Sequence, residues 1–242
     1  MDACTAGPAQ WLIAEFEASL EHFANSTVID KRYELYLATV RLRTEFPNAA
    51  AAVASDEFVN SVHETLRTFF NLARAGLRPL GEFVDELRKQ ARALSRFDGV
   101  KVGTEPEGTD DGLWDLISKM KLTANELQEG EREKQKSKLV SGSKALNLVL
   151  PDLVVPVDRQ YTSAFLYRYA DEFNAGRDEQ ETFRVAFAAF HTIAMTVHPE
   201  SYVGTHRLHA TPTKVIDNAL IGFVDRARAI LVPAAPLVAL SP

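Results

Sequence analysis

Cysteine is almost absent from this 242-residue chain, since Cys4 is the only one. A single cysteine excludes an internal disulfide and a cysteine-based zinc site. An excess of positive charge is missing as well: 27 lysines and arginines stand against 33 acids, a formal net charge of −6. This balance excludes a general electrostatic affinity for nucleic acids or anionic membranes. Any polyanionic partner therefore has to meet a local basic patch.

The chain also lacks a long apolar run. Its most apolar tail, residues 231–240, is short and contains Pro233 and Pro236, which is too little to cross a bilayer. Residues 1–17 have no basic start and contain Asp2, so we expect no signal peptide. These features predict a cytoplasmic protein without a membrane partner, associated with a bacterial-type nucleoid if it acts on DNA.

Apolar residues recur at the spacing of an α-helix through most of the chain, whereas the alternation typical of strands is almost absent. This periodicity predicts an all-α fold. The expected helices cover residues 11–23, 33–42, 56–70, 79–94, 114–120, 144–150, 158–173, 178–198 and 211–231, with another from 123 into the charged run 126–138.

Residues 99–112 are the clearest break in this pattern. They are rich in glycine, proline, threonine and acids, and they lack apolar residues at helical spacing. We interpret them as a linker between an N-terminal helical lobe, residues 1–98, and a C-terminal lobe, residues 113–242. The expected architecture is a two-lobed helical bundle, although the two lobes could interleave as one domain.

A local reversal of charge occurs between residues 132 and 144, where a single acid accompanies five cations: Arg132, Lys134, Lys136, Lys138 and Lys144. The basic run leads into Ser141, Gly142 and Ser143, which we expect to form a turn that opens a helix at Lys144. Exposed amides, a glycine and flanking lysines suit a phosphate. We predict that Lys138 and residues 141–143 contact the backbone of a nucleic acid. The alternative is that the charged run 126–138 is an ordinary solvent-exposed helix.

Asp158 follows an apolar elbow that runs from Pro151 to Pro156, fourteen residues after Lys144. Because the prolines fix the path of the elbow, we expect Asp158 to be held rigidly at the start of a helix. An aspartate in that position also serves as an ordinary helix cap. A functional role therefore depends on whether Lys144 and Asp158 face one cleft.

This combination resembles the helix-hairpin-helix family of DNA base-excision glycosylases. Gly142 matches the second glycine of the family's hairpin, and Lys144 matches the lysine two residues later. The segment 156–158 matches the one that carries the essential aspartate of the family. Three features depart from the family: Val140 stands at the first hairpin glycine, the interval from lysine to aspartate is shorter, and Arg159 replaces a histidine or tyrosine.

The resemblance implies a helix-hairpin-helix-like element and an enzyme that flips a damaged or modified base out of double-stranded DNA. Such an enzyme cleaves the N-glycosidic bond and needs no cofactor or metal. Asp158 would stabilise positive charge on the deoxyribose, and Lys144 would assist or attack C1′, which adds lyase activity. Arg159 would join the DNA contacts. Aromatic candidates for the base pocket or the wedge are Trp114, Tyr161, Phe165 and Tyr202.

The last predicted helix opens with Thr211 and Pro212, so that Lys214 stands where a phosphate could dock at the helix start. Asp217 and Asn218 lie one turn further on, among apolar neighbours. Polar residues on such an apolar helix are expected to face a partner or a cavity, or to be satisfied within the core.

Two other interpretations remain. The chain could be a catalytically inactive helical module that binds DNA or a protein through the same scaffold. It could also be a metal-dependent enzyme, because four of the six histidines lie between residues 191 and 209, and His206 and His209 are three apart. Only Glu200 lies close enough in sequence to help complete such a site. The sequence makes no prediction of the oligomeric state.

Overall fold

The structure, a computed structural model, describes residues 7–123, 138–167 and 178–231. The all-α prediction is confirmed, because these ranges contain α-helices and short 3-10 helices but no strand. The α-helices are α1 (Pro8–Ala14), α2 (Phe16–Ser26), α3 (Lys31–Thr44), α4 (Ala49–Ala54), α5 (Asp56–Thr68), α6 (Leu80–Arg88), α7 (Ala91–Leu94), α8 (Thr109–Lys119), α9 (Lys138–Val149), α10 (Thr162–Tyr167), α11 (Glu179–Val197) and α12 (Pro212–Leu231). The 3-10 helices are Leu72–Ala75, Ser95–Phe97 and Pro199–Tyr202. None of the helices in the described ranges is long and apolar enough to span a membrane.

Side-chain caps mark the starts of several helices. The side chain of Asp30 accepts hydrogen bonds from two backbone amides at the start of α3. Ser55 does the same for the amide of Phe58 at the start of α5, and Asp178 for the amide of Gln180 at the start of α11. Each oxygen satisfies an amide that has no partner inside its own helix.

Three differences from the predicted boundaries occur before residue 120. The first predicted helix is two helices, because the backbone leaves helical geometry at Glu15. The fourth is also divided, into α6 and α7. Helix α8 begins at Thr109, inside the predicted linker, because Gly108 adopts a left-handed conformation that ends the loop. Asp110 and Asp111 in the first turn then favour the positive end of the helix dipole.

Helices from both sides of the predicted linker share one hydrophobic core. Helix α2 runs along α12, where a Cβ atom added to Gly222 would collide with the carbonyl oxygen of Ser19. Helix α1 packs against α11, and α9 contacts α3, α4, α5, α8 and α11. The division into two lobes stays a prediction.

The predicted turn at residues 141–143 is wrong, because α9 begins at Lys138 and these residues lie within it. All three are buried, and a Cβ atom added to Gly142 would lie 2.9 Å from Cγ2 of Ile117 in α8. Serine and glycine are weak helix formers, but burial against α8 outweighs that local preference. Val140 and Gly142, matched to the two glycines of the family's hairpin, therefore lie within a helix. Residues 124–137, which include Arg132, Lys134 and Lys136, lie outside the described residues.

Candidate active site

Lys144 and Asp158 lie together in the structure. The Nζ atom of Lys144 is 3.1 Å from Oδ2 of Asp158. The lysine side chain is 9% exposed and the aspartate side chain 33%, so the pair stands where the interior meets solvent. The predicted candidate residues therefore face one cleft.

The elbow that carries Asp158 is tied to both α9 and α12. Asn147 of α9 donates hydrogen bonds to the carbonyl oxygen of Val154, at 2.8 Å, and to the hydroxyl of Thr213 in α12, at 3.0 Å. Thr213 in turn donates to the carbonyl oxygen of Pro151, and the amide of Val157 donates to the hydroxyl of Ser143 at 3.0 Å. These bonds satisfy the buried backbone of the elbow and fix its path between the two helices.

The two carboxylate oxygens of Asp158 have different partners. Oδ1 accepts hydrogen bonds from the backbone amides of Gln160, at 2.6 Å, and Tyr161, at 3.1 Å. Helix α10 begins only at Thr162, so Asp158 holds a turn before the helix and does not stand at its first position as predicted. This arrangement fixes the carboxylate and leaves Oδ2 to meet Lys144.

A cavity of about 190 Å³ adjoins the pair. This volume is below the roughly 300–1,000 Å³ of pockets that hold drug-sized ligands, so the cavity suits a single ring system. The lining combines aromatic and aliphatic side chains with two lysines and two aspartates: Phe69, Phe70, Lys144, Pro156, Asp158, Tyr161, Lys214, Asp217 and Ile221. The Nζ atom of Lys144 lies over the ring of Phe70, 5.4 Å from its centroid.

Lys214 and Asp217 form a second lysine–aspartate pair at this cavity, with Nζ 2.6 Å from Oδ2. Lys214, which we predicted to stand where a phosphate could dock at the helix start, is only 2% exposed and lines the cavity. Four aromatic rings surround its Nζ at centroid distances of 5.5 to 5.9 Å, those of Phe23, Tyr33, Tyr36 and Phe69. These rings cover the start of α12 and stabilise the ammonium through cation–π contacts.

The second pair is electrostatically matched. Burial acts to lower the pKa of Lys214, but the charge and hydrogen bond of Asp217, together with Tyr33 and Tyr36, outweigh burial and raise that pKa above the ordinary value for lysine. Burial also raises the pKa of Tyr33 and Tyr36, so both phenols are neutral at physiological pH. Lys214 therefore keeps its proton inside the cavity wall.

Tyr161 is the one predicted aromatic residue that lines the cavity. The guanidinium of Arg228 lies 5.3 Å from its ring centroid and donates a hydrogen bond to the carbonyl oxygen of Gln160 at 3.0 Å. Burial raises the pKa of Tyr161. The ring is thus held in place at the turn that carries Asp158.

A second concave region of about 370 Å³ lies beside the first, and we call it the arginine groove. Its lining residues are Asn71, Leu72, Arg74, Ala75, Thr123, Val140, Ser141 and Arg159. The two regions adjoin along the chain. Phe70 lines the cavity and Asn71 the groove, and in the same way Asp158 lines the cavity and Arg159 the groove. Within the described residues the groove contains two arginines and no acidic side chain, which makes it electropositive.

The other predicted contact residues lie elsewhere. Trp114 packs against Phe183, with ring centroids 6.1 Å apart, and Phe165 packs against Phe223 at the same separation. Tyr202 donates a hydrogen bond from its hydroxyl to Glu17. None of these three aromatic residues lines the cavity or the arginine groove.

Lys138 donates from its side chain to the carbonyl oxygen of Ser118, at 3.2 Å. It lies on α9 with Lys144 but is not part of the cavity lining. Of the four positions predicted to touch a DNA backbone around the start of α9, only Ser141 lines the arginine groove.

The histidine-rich segment does not form a metal centre in the part of the chain that the structure describes. His191 pairs with Glu105 at 2.7 Å, and the rings of His206 and His209 have centroids 5.4 Å apart. Among those residues, no three histidine, cysteine, aspartate or glutamate side chains are grouped so as to hold an ion.

Sequence reasoning missed Phe69, Phe70 and Arg74. The two phenylalanines fit the apolar period of the third predicted helix and gave no separate signal. Arg74 is an isolated arginine in a short 3-10 helix, placed by left-handed residues on both sides, Asn71 with φ 55° and Gly76 with φ 71°. Asp217 did have a signal, as an acid on an apolar helix surface.

Comparison with known proteins returns no match: no family model, no curated protein and no solved structure is similar to the chain at a significant level. The resemblance to helix-hairpin-helix glycosylases therefore rests on Lys144 and the segment 156–158, because Gly142 lies inside α9 and not in a turn.

Proposed function

We propose that this chain is a DNA glycosylase-like enzyme that flips a damaged or modified base out of double-stranded DNA and cleaves its N-glycosidic bond. The supporting observation is the Lys144–Asp158 pair, with 3.1 Å between Nζ and Oδ2, beside a cavity of about 190 Å³. A flipped base would enter this cavity, and its deoxyribose would then stand at the partly exposed carboxylate of Asp158.

The chemistry follows from the charge that develops during cleavage. As the bond from C1′ to the base nitrogen breaks, its electron pair leaves with the base and positive charge builds on the sugar. Oδ2 of Asp158 is a fixed negative group, partly exposed at the mouth of the cavity, that would stabilise this charge. The departing base takes up a proton.

Lys144 supplies a route to strand cleavage. A neutral amine at Nζ attacks C1′, forms a carbon–nitrogen bond as the base leaves and, after the sugar ring opens, gives a Schiff base. Asp158 is the nearest acceptor for the proton that Lys144 has to release first, because its Oδ2 already accepts a hydrogen bond from Nζ. When water attacks instead, the same carboxylate orients it and the enzyme releases the base without cutting the strand.

The surroundings suit a flipped nucleotide. Phe69, Phe70 and Tyr161 offer aromatic contacts to a base, which every base accepts because each has a π-face. Arg74 and Arg159 line the adjoining groove, where they would bind backbone phosphates. This local basic surface gives an acidic protein a means to contact DNA.

The test is base release from duplexes that each carry one damaged or modified base. Treatment with hot alkali cuts the strand wherever a base has been lost, and borohydride traps a Schiff base covalently. We expect release from at least one duplex, its loss in Asp158→Asn, and loss of trapping in Lys144→Met. The matched control is Lys119→Met, which changes an exposed lysine that pairs with Asp115 outside the cavity. Absence of release across a broad panel would contradict the proposal.

One observation favours a second candidate, an inactive module that binds DNA through the arginine groove. Lys144 and Asp158 already satisfy each other, as do buried ion pairs that serve only structure. This candidate predicts duplex binding that is weakened by Arg159→Ala, with no base release from any duplex.

A further inference from the structure

The two lysine–aspartate pairs stand at different depths of the same cavity. In the pair nearer to solvent, Asp158 has a side chain that is 33% exposed. In the deeper pair, the side chains of Lys214 and Asp217 are 3% and 10% exposed. A nucleotide that enters base first would place its sugar at Asp158 and the edge of its base at Lys214 and Asp217.

The deeper pair has hydrogen-bonding capacity left over. The ammonium of Lys214 has three N–H donors, and its one hydrogen bond within the described residues goes to Asp217. The carboxylate of Asp217 accepts only that bond among the same residues, so Oδ1 has no protein donor there. A donor and an acceptor therefore stand side by side in the wall of an otherwise aromatic and aliphatic cavity.

From this arrangement we infer that Lys214 and Asp217 recognise the lactam edge of a base in the cavity. In a lactam edge, a ring N–H lies next to a carbonyl group. Lys214 donates to the carbonyl oxygen and Asp217 accepts from the ring N–H. The inference rests on the proposed function and names its substrate class: keto bases such as hypoxanthine, oxidised guanine or uracil. The adjacent donor and acceptor of such an edge match an ammonium and a carboxylate only 2.6 Å apart.

The same arrangement disfavours other bases. An amino base of the adenine type offers a ring nitrogen acceptor where Asp217 needs a donor, which sets two electron-rich atoms against each other. Methylation of the ring nitrogen removes the N–H, so that the methyl group displaces water from Oδ1 of Asp217 without supplying a hydrogen bond. Because a polar atom that is desolvated without a partner is costly, such analogues are rejected.

The test is binding of free bases, which is independent of catalysis. Affinities of the full chain for hypoxanthine and 1-methylhypoxanthine are measured by ligand-observed NMR, and uracil with 3-methyluracil forms a second matched pair with a smaller ring. We expect the lactam form of at least one pair to bind about tenfold or more tightly than its methylated form.

Two kinds of variant locate the effect. Asp217→Asn changes one group, and the double variant Lys214→Met, Asp217→Leu replaces the pair by apolar side chains of similar size, a change that buried ion pairs often tolerate without loss of stability. Both should remove the preference for the lactam form. Lys119→Met, at an exposed pair with Asp115, is the control and should keep the preference.

Equal binding of lactam and methylated forms, absence of binding by any of the four bases, or a preference that survives in the double variant would overturn the inference. Base release is measured separately on duplexes that contain the same bases. Selective binding without release would sustain the inference and contradict the glycosylase proposal, whereas release without lactam preference would do the reverse.

Discussion

The cavity contains two pairs of the same residue types that are built in different ways. Lys214 and Asp217 lie three residues apart on one turn of α12, so a single helix brings them together. Lys144 and Asp158 lie fourteen residues apart and meet only because the elbow folds back along α9. Lys214 and Asp217 are the inner pair, and Lys144 and Asp158 are the outer pair. The inner pair is largely buried among aromatic rings in the cavity wall, while the outer pair keeps one carboxylate partly open to solvent.

The difference in burial separates what each pair can do. A charge removed from water is tolerated only while its partner remains, so the inner pair is fixed in one arrangement. The outer pair is held by backbone hydrogen bonds to one oxygen of Asp158, which leaves the other free to exchange Lys144 for a substrate. The inner pair is therefore suited to recognition and the outer pair to chemistry.

The largest expected effect is on stability when one half of the inner pair is removed. Lys214→Met leaves the carboxylate of Asp217 buried and unpaired, so we expect a loss of about 3–5 kcal/mol in the free energy of unfolding. The double variant with Asp217→Leu should recover most of this loss. Urea denaturation measures both, and a single variant as stable as the wild type would show that the pair is not buried as described.

The next effect concerns the helices that carry the pairs. Gly222→Ala should cost about 1–3 kcal/mol, because the added Cβ atom meets the backbone carbonyl of Ser19, which cannot move without shifting α2. In α9, Gly142→Ala meets only the side chain of Ile117, and the higher helix propensity of alanine offsets part of the strain. Thermal unfolding of both variants tests this contrast. Equal losses would mean that α12 does not approach α2 so closely.

Loss of the outer lysine should affect stability less than loss of the inner one. In Lys144→Met, water can solvate the partly exposed carboxylate of Asp158, so we expect a loss of about 1 kcal/mol. Urea denaturation under the conditions used for the inner pair gives the comparison. A loss as large as that of Lys214→Met would remove the distinction between the two pairs.

The smallest effect is expected in the arginine groove, at the outer side of the cavity. Arg159→Ala should leave the unfolding free energy unchanged within error, because the side chain is exposed. For binding to a duplex, the logarithm of the binding constant falls linearly with the logarithm of the salt concentration. Arg159→Ala should reduce the magnitude of this slope by about one. Binding titrations at several salt concentrations measure this slope, and an unchanged slope would place the DNA backbone elsewhere.

The all-α class and many helix positions could be predicted from the sequence. The spacing of apolar residues and the capping side chains are signals that lie within a few residues of each helix. The sequence also singled out Lys144 and Asp158, since the cations and the proline elbow mark them. It misjudged residues 141–143, where the tertiary contact with α8 overrides the weak helix propensity of serine and glycine. The burial of Lys214 could not be foreseen either, because its aromatic enclosure comes from α2, α3 and the end of α5, which are distant in sequence.

The most direct test of the division between the pairs is the single-turnover rate of base release from the best duplex substrate, measured together with duplex affinity. We predict that Asp158→Asn lowers this rate about 100-fold or more without a change in duplex affinity, since it keeps the shape of the side chain and removes the charge needed at the sugar. An Asp158→Asn enzyme that releases the base at the wild-type rate would contradict the account.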